Sequence, residues 1–330
     1  MNSKEIIDVG VTFMPDSEEL GFFWKMYEIE QKFHASMAGD KQLIWGKIKK
    51  EARVCRFCKR DISATTFNKK AHAIPALMGN KTLFTDYECD QCNEIFGRYE
   101  NDLGNFAGIW HTLSMVSGGR GVPKFKNNKN DFVVTGDDGK IRISIDKTSE
   151  GRQGHIELGN EKLTIDTFNL PFVPKDALKA FIKIALTFMD KETILNYDKT
   201  RRWLIGEINN EDIAMHPYFF VPRAMGSKMF KSPLIMLMRK RKAIKATPFA
   251  IPEHSLLVFY GVFIYQIYIP FHQNEESEFR KGKLFLPVEE HLCKEIPSDS
   301  PLGAASINYM NMGANVKVKN VAEKIELPLN

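Results

Sequence analysis

Two cysteine pairs frame residues 55–93, which read CRFCKRDISATTFNKKAHAIPALMGNKTLFTDYECDQCN. The pairs, Cys55-x-x-Cys58 and Cys89-x-x-Cys92, hold four of the five cysteines in the chain. Two Cys-x-x-Cys pairs that flank a loop of this size are typical of a closed tetrahedral zinc site with four thiolate ligands. The spacing therefore predicts that Cys55, Cys58, Cys89 and Cys92 bind a structural zinc ion.

A single histidine lies between the two cysteine pairs, in the run AHAIP at residues 71–75. We expect a short strand over residues 72–74 and a loop over residues 75–80. After the last cysteine, apolar residues recur at three- and four-residue steps: Ile95, Phe96, Tyr99, Leu103 and Phe106. This spacing predicts a helix that begins at or just after Asn93, a residue that is favourable at a helix N-terminus.

The segment around the cysteines is basic. Residues 41–130 hold sixteen Lys or Arg against eight Asp or Glu and so carry +8, whereas the whole chain carries only +5. A basic zinc module on a near-neutral body indicates a polyanionic partner, with nucleic acid as the first candidate. The overall composition, 43% hydrophobic and 26% charged, is that of a folded protein and excludes wholesale disorder.

The length of 330 residues is sufficient for two domains. Residues 17–50 show apolar positions near helical spacing and predict a helical segment. The glycine-rich run at residues 117–123 predicts a linker, and a phosphate-binding role for it is rejected because no Gly-Lys-Ser or Gly-Lys-Thr follows. The predicted division is a helical segment at 1–50, a zinc module at 51–116, a linker at 117–130 and an α+β domain at 131–330.

The C-terminal part shows a mixture of strand and helix patterns. Hairpins are predicted around Asp137-Asp138-Gly139 and around Gly159-Asn160, and a helix over residues 175–189. The apolar run at residues 256–271 is rich in Val, Ile, Tyr and Phe and shorter than the roughly twenty residues of a membrane span. We therefore expect a buried hairpin there.

The N-terminal residues show no secretory signal, because no basic lead is followed by an apolar core. The cysteine pairs are accordingly expected to bind metal rather than to form disulfides, and the protein is expected in the cytoplasm.

The combined motif resembles that of a known family. The run Cys-x-x-Cys, His-x-Ile-Pro, Gly-Asn and Cys-x-x-Cys-Asn-x-x-Phe-Gly is similar to the HNH endonucleases, in the zinc-bearing branch of the ββα-metal nucleases. The resemblance extends from Cys55 to about Phe106. It implies that the chain is a metal-dependent endonuclease acting on DNA, with Mg²⁺ or Mn²⁺ as the catalytic cation and His72 as the base that activates water. Many members act in restriction, homing or anti-phage defence, so a defence role is also implied.

The ligands of the catalytic cation depart from the family pattern. The family usually places Asp, Glu or His directly before the base histidine, where this chain has Ala71, and no Asn stands at residues 84–86, where the family has one. Asn93 occupies the position of a usual His ligand, and Asn93 and Glu100 share one face of the predicted helix. We therefore expect His72, Asn93 and Glu100 to be catalytic and Asn93 and Glu100 to face the cation. Glu100 as a solvated helix charge is the alternative, and the reserve ligands are Asp86 and Asp102.

Basic residues close to His72 are candidates for contacts with the phosphate backbone: Lys69, Lys70, Arg56 and Arg60. Lys69 and Lys70 are favoured because they directly precede the predicted strand, whereas an ordinary solvated surface is the alternative for the group. DNA is the expected partner, and no membrane is expected. A homodimer and a protein or small-molecule activator acting through residues 131–330 are both left open.

Two other functions compete with the nuclease. One is a binding module in which the same zinc fold holds nucleic acid without cutting it, and Ala71 keeps this alternative open. The other is an effector nuclease gated by its C-terminal domain, whose size indicates a specific task.

Overall fold

The chain has an α+β fold in the residues that the computed structural model describes. These are residues 22–36, 39–148, 154–208, 218–219, 230–244, 251–275, 310–311, 317–319 and 322–328. The helices are α1 (Phe22–Met26), α2 (Asp90–Leu113), α3 (Pro174–Phe188) and α4 (Asp198–Leu204). The strands are β1 (Tyr27–His34), β2 (Gln42–Leu43), β3 (Ala71–His72), β4 (Leu83–Thr85), β5 (Phe125–Lys126), β6 (Phe132–Asp137), β7 (Lys140–Ile145), β8 (His155–Leu158), β9 (Lys162–Phe168), β10 (Tyr218–Phe219), β11 (Phe230–Lys240), β12 (His254–Gly261), β13 (Phe263–Tyr268), β14 (Met310–Asn311) and β15 (Ala322–Pro328).

The segment between the cysteine pairs folds as a hairpin followed by a helix. β3 and β4 pair antiparallel, β2 adds to β4 in parallel, and the strand order is β2-β4-β3. A short 3₁₀ turn, Ala76–Met78, lies in the predicted loop. α2 begins at Asp90, three residues earlier than predicted, because Cys89 caps it by accepting a hydrogen bond from Cys92 N at 3.5 Å. Asp90 then lies in the first turn, where a carboxylate complements the helix dipole.

The helical prediction for residues 17–50 was wrong over residues 27–36 and 39–49, which hold β1, β2 and irregular structure. α1 has only five residues, and the chain then continues directly into β1. β1 pairs antiparallel with β11 from Tyr27↔Lys240 to His34↔Leu234, so a partner two hundred residues away determines the local structure. Residues 17–21 and 37–38 of the predicted helix lie outside the described residues.

The predicted elements of the C-terminal part are confirmed. β6 and β7 form a hairpin whose turn places Asp138 and Gly139 at φ of 45° and 73°, as a two-residue type I′ turn requires. β8 and β9 pair around Gly159-Asn160, and α3 matches the predicted helix within a residue at each end. The apolar run at residues 256–271 forms most of β12 and β13. No helix among the described residues combines the length and the apolar character needed to cross a membrane.

In the sheet β1-β11-β12-β13, the strands β11, β12 and β13 are buried on both faces over most of their length, which explains their nearly continuous apolar sequence. The edge strand β1 is instead mostly polar, and after Tyr27 its residues are exposed or half-buried. Alternate residues of β11 point to opposite sides: Ile235 and Leu237 join the main core, while Met236 and Met238 pack near Phe23 and Tyr27. The main core extends from Ala35 to Ile325 and includes α3, which packs along α2. The apolar core is thus continuous across residues 117–130, and the division into domains there stays a prediction.

Candidate active site and zinc centre

The four predicted cysteines converge on one point. The Sγ atoms of Cys55, Cys58, Cys89 and Cys92 all lie within 4.8 Å of one another, and the Cys58–Cys89 pair is 3.7 Å apart. A tetrahedral site with Zn–S bonds of about 2.3 Å requires S···S distances of about 3.8 Å. The cluster therefore fits a zinc ion, and four thiol ligands would leave no open position for water.

Backbone and side-chain hydrogen bonds connect the two halves of the cluster. Arg56 N donates to Tyr87 O at 2.7 Å, and Asp90 N donates to Thr66 O at 2.8 Å. The Asp90 carboxylate also accepts from the backbone N–H groups of Asn68 and Lys69 and from the Thr66 hydroxyl. Asp90 thus ties the start of α2 to the loop that leads into β3, a role that its position between two cysteines did not reveal.

His72 is half-buried at the end of β3, next to the aromatic ring of Phe84. The two residues face each other across the hairpin, with ring centroids 4.7 Å apart. Burial lowers the pKa of His72, and the positive charges of Lys183 and Lys41 lower it further. The imidazole is therefore held neutral at neutral pH, which is the state a general base requires.

Asn80 closes the loop that joins β3 to β4. Its side chain is buried and donates to Ile74 O at 2.7 Å and to Leu83 O at 2.8 Å. Its Oδ1 accepts from the backbone N–H groups of Thr82 and Leu83 at 3.2 and 2.9 Å. Four hydrogen bonds from one amide fix the path of the chain on the C-terminal side of His72.

A buried charge cluster lies beneath the hairpin. Lys183 of α3 is 1% exposed, and its Nζ lies 3.2 Å from Oε2 of Glu88, which is 2% exposed. The same Nζ donates a hydrogen bond to the carbonyl oxygen of His72. Burial raises the pKa of Glu88 to about 7, with Lys183 acting in the opposite direction and Glu100 adding to the rise. The sequence signal for this cluster was the lone lysine between Ile182 and Ile184 in an otherwise apolar stretch of helix.

Asn93 and Glu100 both lie on α2, as predicted, and both are half-buried. Burial raises the pKa of the Glu100 carboxyl, and the positive charge of Lys183 lowers it, so Glu100 belongs to the surroundings of the buried cluster. Ala71 is fully buried and offers no ligand atom. Over the described ranges, the four cysteines form the single group of three or more His, Cys, Asp or Glu residues with converging ligand atoms.

Both reserve carboxylates have structural partners. Asp86 Oδ2 lies 3.0 Å from Arg53 Nη2 and accepts a hydrogen bond from Ile48 N. Asp102 Oδ1 accepts from Val173 N at 2.8 Å, at the N-terminus of α3. These contacts hold neighbouring segments against the hairpin and α2.

The four predicted nucleic-acid contacts occupy different environments. Lys69, Lys70 and Arg60 are exposed, and Arg60 Nη1 donates to Gln91 Oε1 at 3.0 Å. Arg56 is half-buried and stacks its guanidinium 5.1 Å from the centroid of the Tyr87 ring. Its guanidinium also donates to the carbonyl oxygens of Met189 and Asp190, just after α3.

A further cation near His72 was not singled out from the sequence. Lys41 is exposed, and its Nζ lies 5.7 Å from the centroid of the Phe84 ring that contacts His72. The parallel pairing of β2 with β4 places it there. It could have been found only by knowing that residues 42–43 join the hairpin as a third strand.

A comparison with protein families matches residues 55–102 to the family described as HNH endonuclease. The matched segment contains all four cysteines of the cluster, His72 and the first half of α2. No curated protein and no solved structure shows significant similarity to the chain.

Proposed function

We propose, from the HNH endonuclease module at residues 55–102, that this protein is a metal-dependent endonuclease that hydrolyses phosphodiester bonds in DNA. The observation that carries the proposal is the position of His72. It lies on β3, the first strand of a hairpin. The cysteine cluster joins the two ends of the segment that contains this hairpin, and α2 begins at the second cysteine pair. A half-buried imidazole on a rigid frame is suited to proton abstraction from a water molecule.

His72 acts as the general base in this proposal. Its lowered pKa keeps the ring neutral at physiological pH, so a ring nitrogen accepts a proton from water as the water oxygen attacks phosphorus. The bond from phosphorus to the leaving oxygen of the sugar then breaks, that oxygen takes a proton from water, and His72 returns its proton to the solvent. Because the imidazole must be neutral before the reaction, the rate is expected to fall in acid.

Zinc at Cys55, Cys58, Cys89 and Cys92 has a structural role in the proposal. The ion would join the turn after Val54 to the first turn of α2 and so restrain both ends of the segment that carries His72. Since all four ligands are thiols, the ion would not take part in hydrolysis.

Asn93 and Glu100 are proposed to hold the catalytic cation, Mg²⁺ or Mn²⁺. Amide and carboxylate oxygens are ligands that these hard cations accept, and Mg²⁺ is commonly bound by one or two protein groups together with water and phosphate. Such a cation supplies neutralisation of charge on the phosphate. If Glu100→Ala and Glu100→Gln both leave cation-dependent cleavage unchanged, this assignment is wrong.

The exposed side chains of Lys69, Lys70 and Arg60 are proposed to follow the phosphate backbone. Arg56, whose guanidinium is hydrogen-bonded to Met189 and Asp190, is proposed to add its positive charge to the same surface. Nothing in these contacts selects a base, so binding is expected to be salt-dependent and to tolerate many sequences. A cytoplasmic enzyme of this kind would serve in anti-phage defence, as many HNH endonucleases do. A single module cuts one strand at a time, so double-strand cleavage would require a homodimer or two successive nicks.

A non-catalytic nucleic-acid-binding module is the second candidate function. It is favoured by Ala71, which is buried and lacks a ligand atom at the position where the family usually carries one. The module would then bind DNA through the same basic residues without cutting it. An effector nuclease gated through residues 131–330 is a variant of the first proposal, in which cleavage requires an activator.

The test is cleavage of supercoiled plasmid by zinc-loaded wild type, by His72→Ala and by His155→Ala, in Mg²⁺, in Mn²⁺ and in EDTA. His155 is an exposed histidine on β8 and serves as the matched control. The proposal predicts nicked circles with the divalent cation, none in EDTA, loss with His72→Ala and no loss with His155→Ala. Wild type that binds DNA but never nicks it supports the binding module, and equal cleavage by both variants contradicts the role of His72.

A further inference from the structure

Lys183 is a charged residue in the interior of the protein. It is 1% exposed, and its neighbours in α3, Ile182 and Ile184, are fully buried. An ammonium group removed from water costs several kcal/mol unless partners replace its hydration. The contacts of its Nζ therefore show which groups replace the lost hydration.

Within the part of the chain that the structure describes, Nζ contacts three groups, and each belongs to the HNH module. Nζ forms an ion pair with Glu88, which directly precedes the zinc-ligand position Cys89. It lies 5.9 Å from the centroid of the Phe96 ring of α2. It also donates a hydrogen bond to the carbonyl oxygen of His72 on β3. One side chain from outside the family-matched segment thus contacts the strand, the helix and the residue next to the cysteine cluster.

The hydrogen bond to His72 fills a gap in the sheet. Ala73 N donates to Leu83 O at 3.1 Å, so the N–H of Ala73 points toward β4, as it does at a hydrogen-bonded position of the ladder. Pairs alternate along an antiparallel ladder, and therefore His72 and Phe84 form a non-hydrogen-bonded pair. The N–H and C=O of His72 consequently point away from β4, and among the described residues β3 is the edge strand on that side. Lys183 takes the place of a neighbouring strand at the carbonyl.

We propose that Lys183 is a positioning residue, which fixes the backbone of His72 and thereby sets the place and orientation of the imidazole. The proposal rests on the proposed function, in which His72 is the base. It also gives one residue of α3 a role in catalysis, although α3 lies beyond the segment that carries the motif. The ammonium is too deeply buried to touch the substrate, so it acts through His72 alone.

The competing interpretation is a buried ion pair that only stabilises the fold. The two interpretations differ in what happens at His72 when the pair is replaced by apolar side chains of similar volume, a change that is often tolerated. Loss of the hydrogen bond displaces the imidazole, and displacement by about 1 Å costs on the order of 10²-fold in rate. Loss of the nearby positive charge also raises the pKa of His72, leaving Lys41 as the cation that still lowers it.

The experiment compares wild type with the double variant Lys183→Met/Glu88→Met, in which no charge is left unpaired. Lys179→Met is the matched control, because Lys179 lies one turn away on α3 and its Nζ contacts the Tyr99 and Trp203 rings instead. Zinc content and urea unfolding establish that each variant is folded. The readouts are kcat and KM for plasmid nicking and an NMR titration of the His72 imidazole.

We expect the double variant to lose about 10²-fold in kcat with little change in KM, and we expect its His72 to titrate at a higher pH than in wild type. Lys179→Met is expected to leave both kcat and the His72 titration unchanged. Wild-type kcat and a wild-type His72 titration in the folded double variant would overturn the proposal. An equal loss of kcat in Lys179→Met would also overturn it, because any disturbance of α3 would then suffice.

Two further outcomes are decided by the same readouts. If wild type does not nick DNA, the proposed function fails, and the NMR titration alone tests the contact: a shifted His72 supports it and an unshifted one refutes it. If the double variant does not fold, Lys183→Arg replaces it, since the larger guanidinium cannot occupy the position of Nζ. A changed His72 spectrum together with a lower kcat supports the proposal, and no change in either refutes it.

Discussion

The kink of α2 at Gly108 allows a test of the packing of α2 against Asn169. Gly108 lies within α2 but has the non-helical angles φ 57° and ψ −141°, a conformation that in practice only glycine adopts. A Cβ added there would lie 2.1 Å from Oδ1 of Asn169, which is 2% exposed. Gly108→Ala therefore adds backbone strain of about 1–3 kcal/mol. Displacing a buried neighbour adds a comparable cost of about 1–3 kcal/mol.

Gly97 of the same helix is the matched control. It is exposed, and no atom lies within 4 Å of an added Cβ, so Gly97→Ala should stabilise the helix by about 0.5–1 kcal/mol. Replacement of glycine by alanine is thus expected to change the free energy of unfolding in opposite directions at these two positions of α2. The measurement is urea unfolding of the zinc-loaded protein. Gly108→Ala within about 0.5 kcal/mol of wild type, as for an ordinary surface substitution, would refute the described geometry of the kink.

Three other predictions concern the hairpin, the zinc centre and the base. Asn80→Ala leaves buried carbonyl and N–H groups unpaired and should cost about 3 kcal/mol or more in urea unfolding; a loss below about 1 kcal/mol would contradict the role of its four hydrogen bonds. Cys58→Ser should lower both the zinc content after dialysis against a chelator and the melting temperature, and one tightly held zinc per chain in the variant would contradict the four-thiol site. For nicking, kcat/KM should rise with pH as His72 loses its proton, with a midpoint below the ordinary histidine pKa of about 6.5, and a midpoint above that value would contradict the lowered pKa.

The sequence predicted those features whose signals are local. The spacing of the cysteine pairs alone predicts the four-thiol cluster. The residues Asp137-Asp138-Gly139 alone predict the turn between β6 and β7. Cys89 is an unusual helix cap, because Ser, Thr, Asp and Asn are the residues that favour this position, and for this reason the sequence predicts a later start of α2 than Asp90.

Features that depend on distant pairing were missed. β1 is a strand because β11 pairs with it across two hundred residues, and its apolar spacing alone imitates a helix. Lys183 and Glu88 are 95 positions apart in sequence, and neither residue has a local pattern that indicates its partner. The supporting contacts of His72 could therefore be recognised only after α3 was placed against α2.

Chemical rescue of His72→Ala tests the central claim most directly. The measurement is the rate of plasmid nicking by wild type and by His72→Ala, with and without added imidazole, at a pH where free imidazole is largely neutral. We predict that the variant loses on the order of 10²-fold or more and that imidazole restores part of the rate in proportion to its neutral form. A folded, zinc-loaded His72→Ala that nicks as fast as wild type without imidazole would contradict the assignment of His72 as the base.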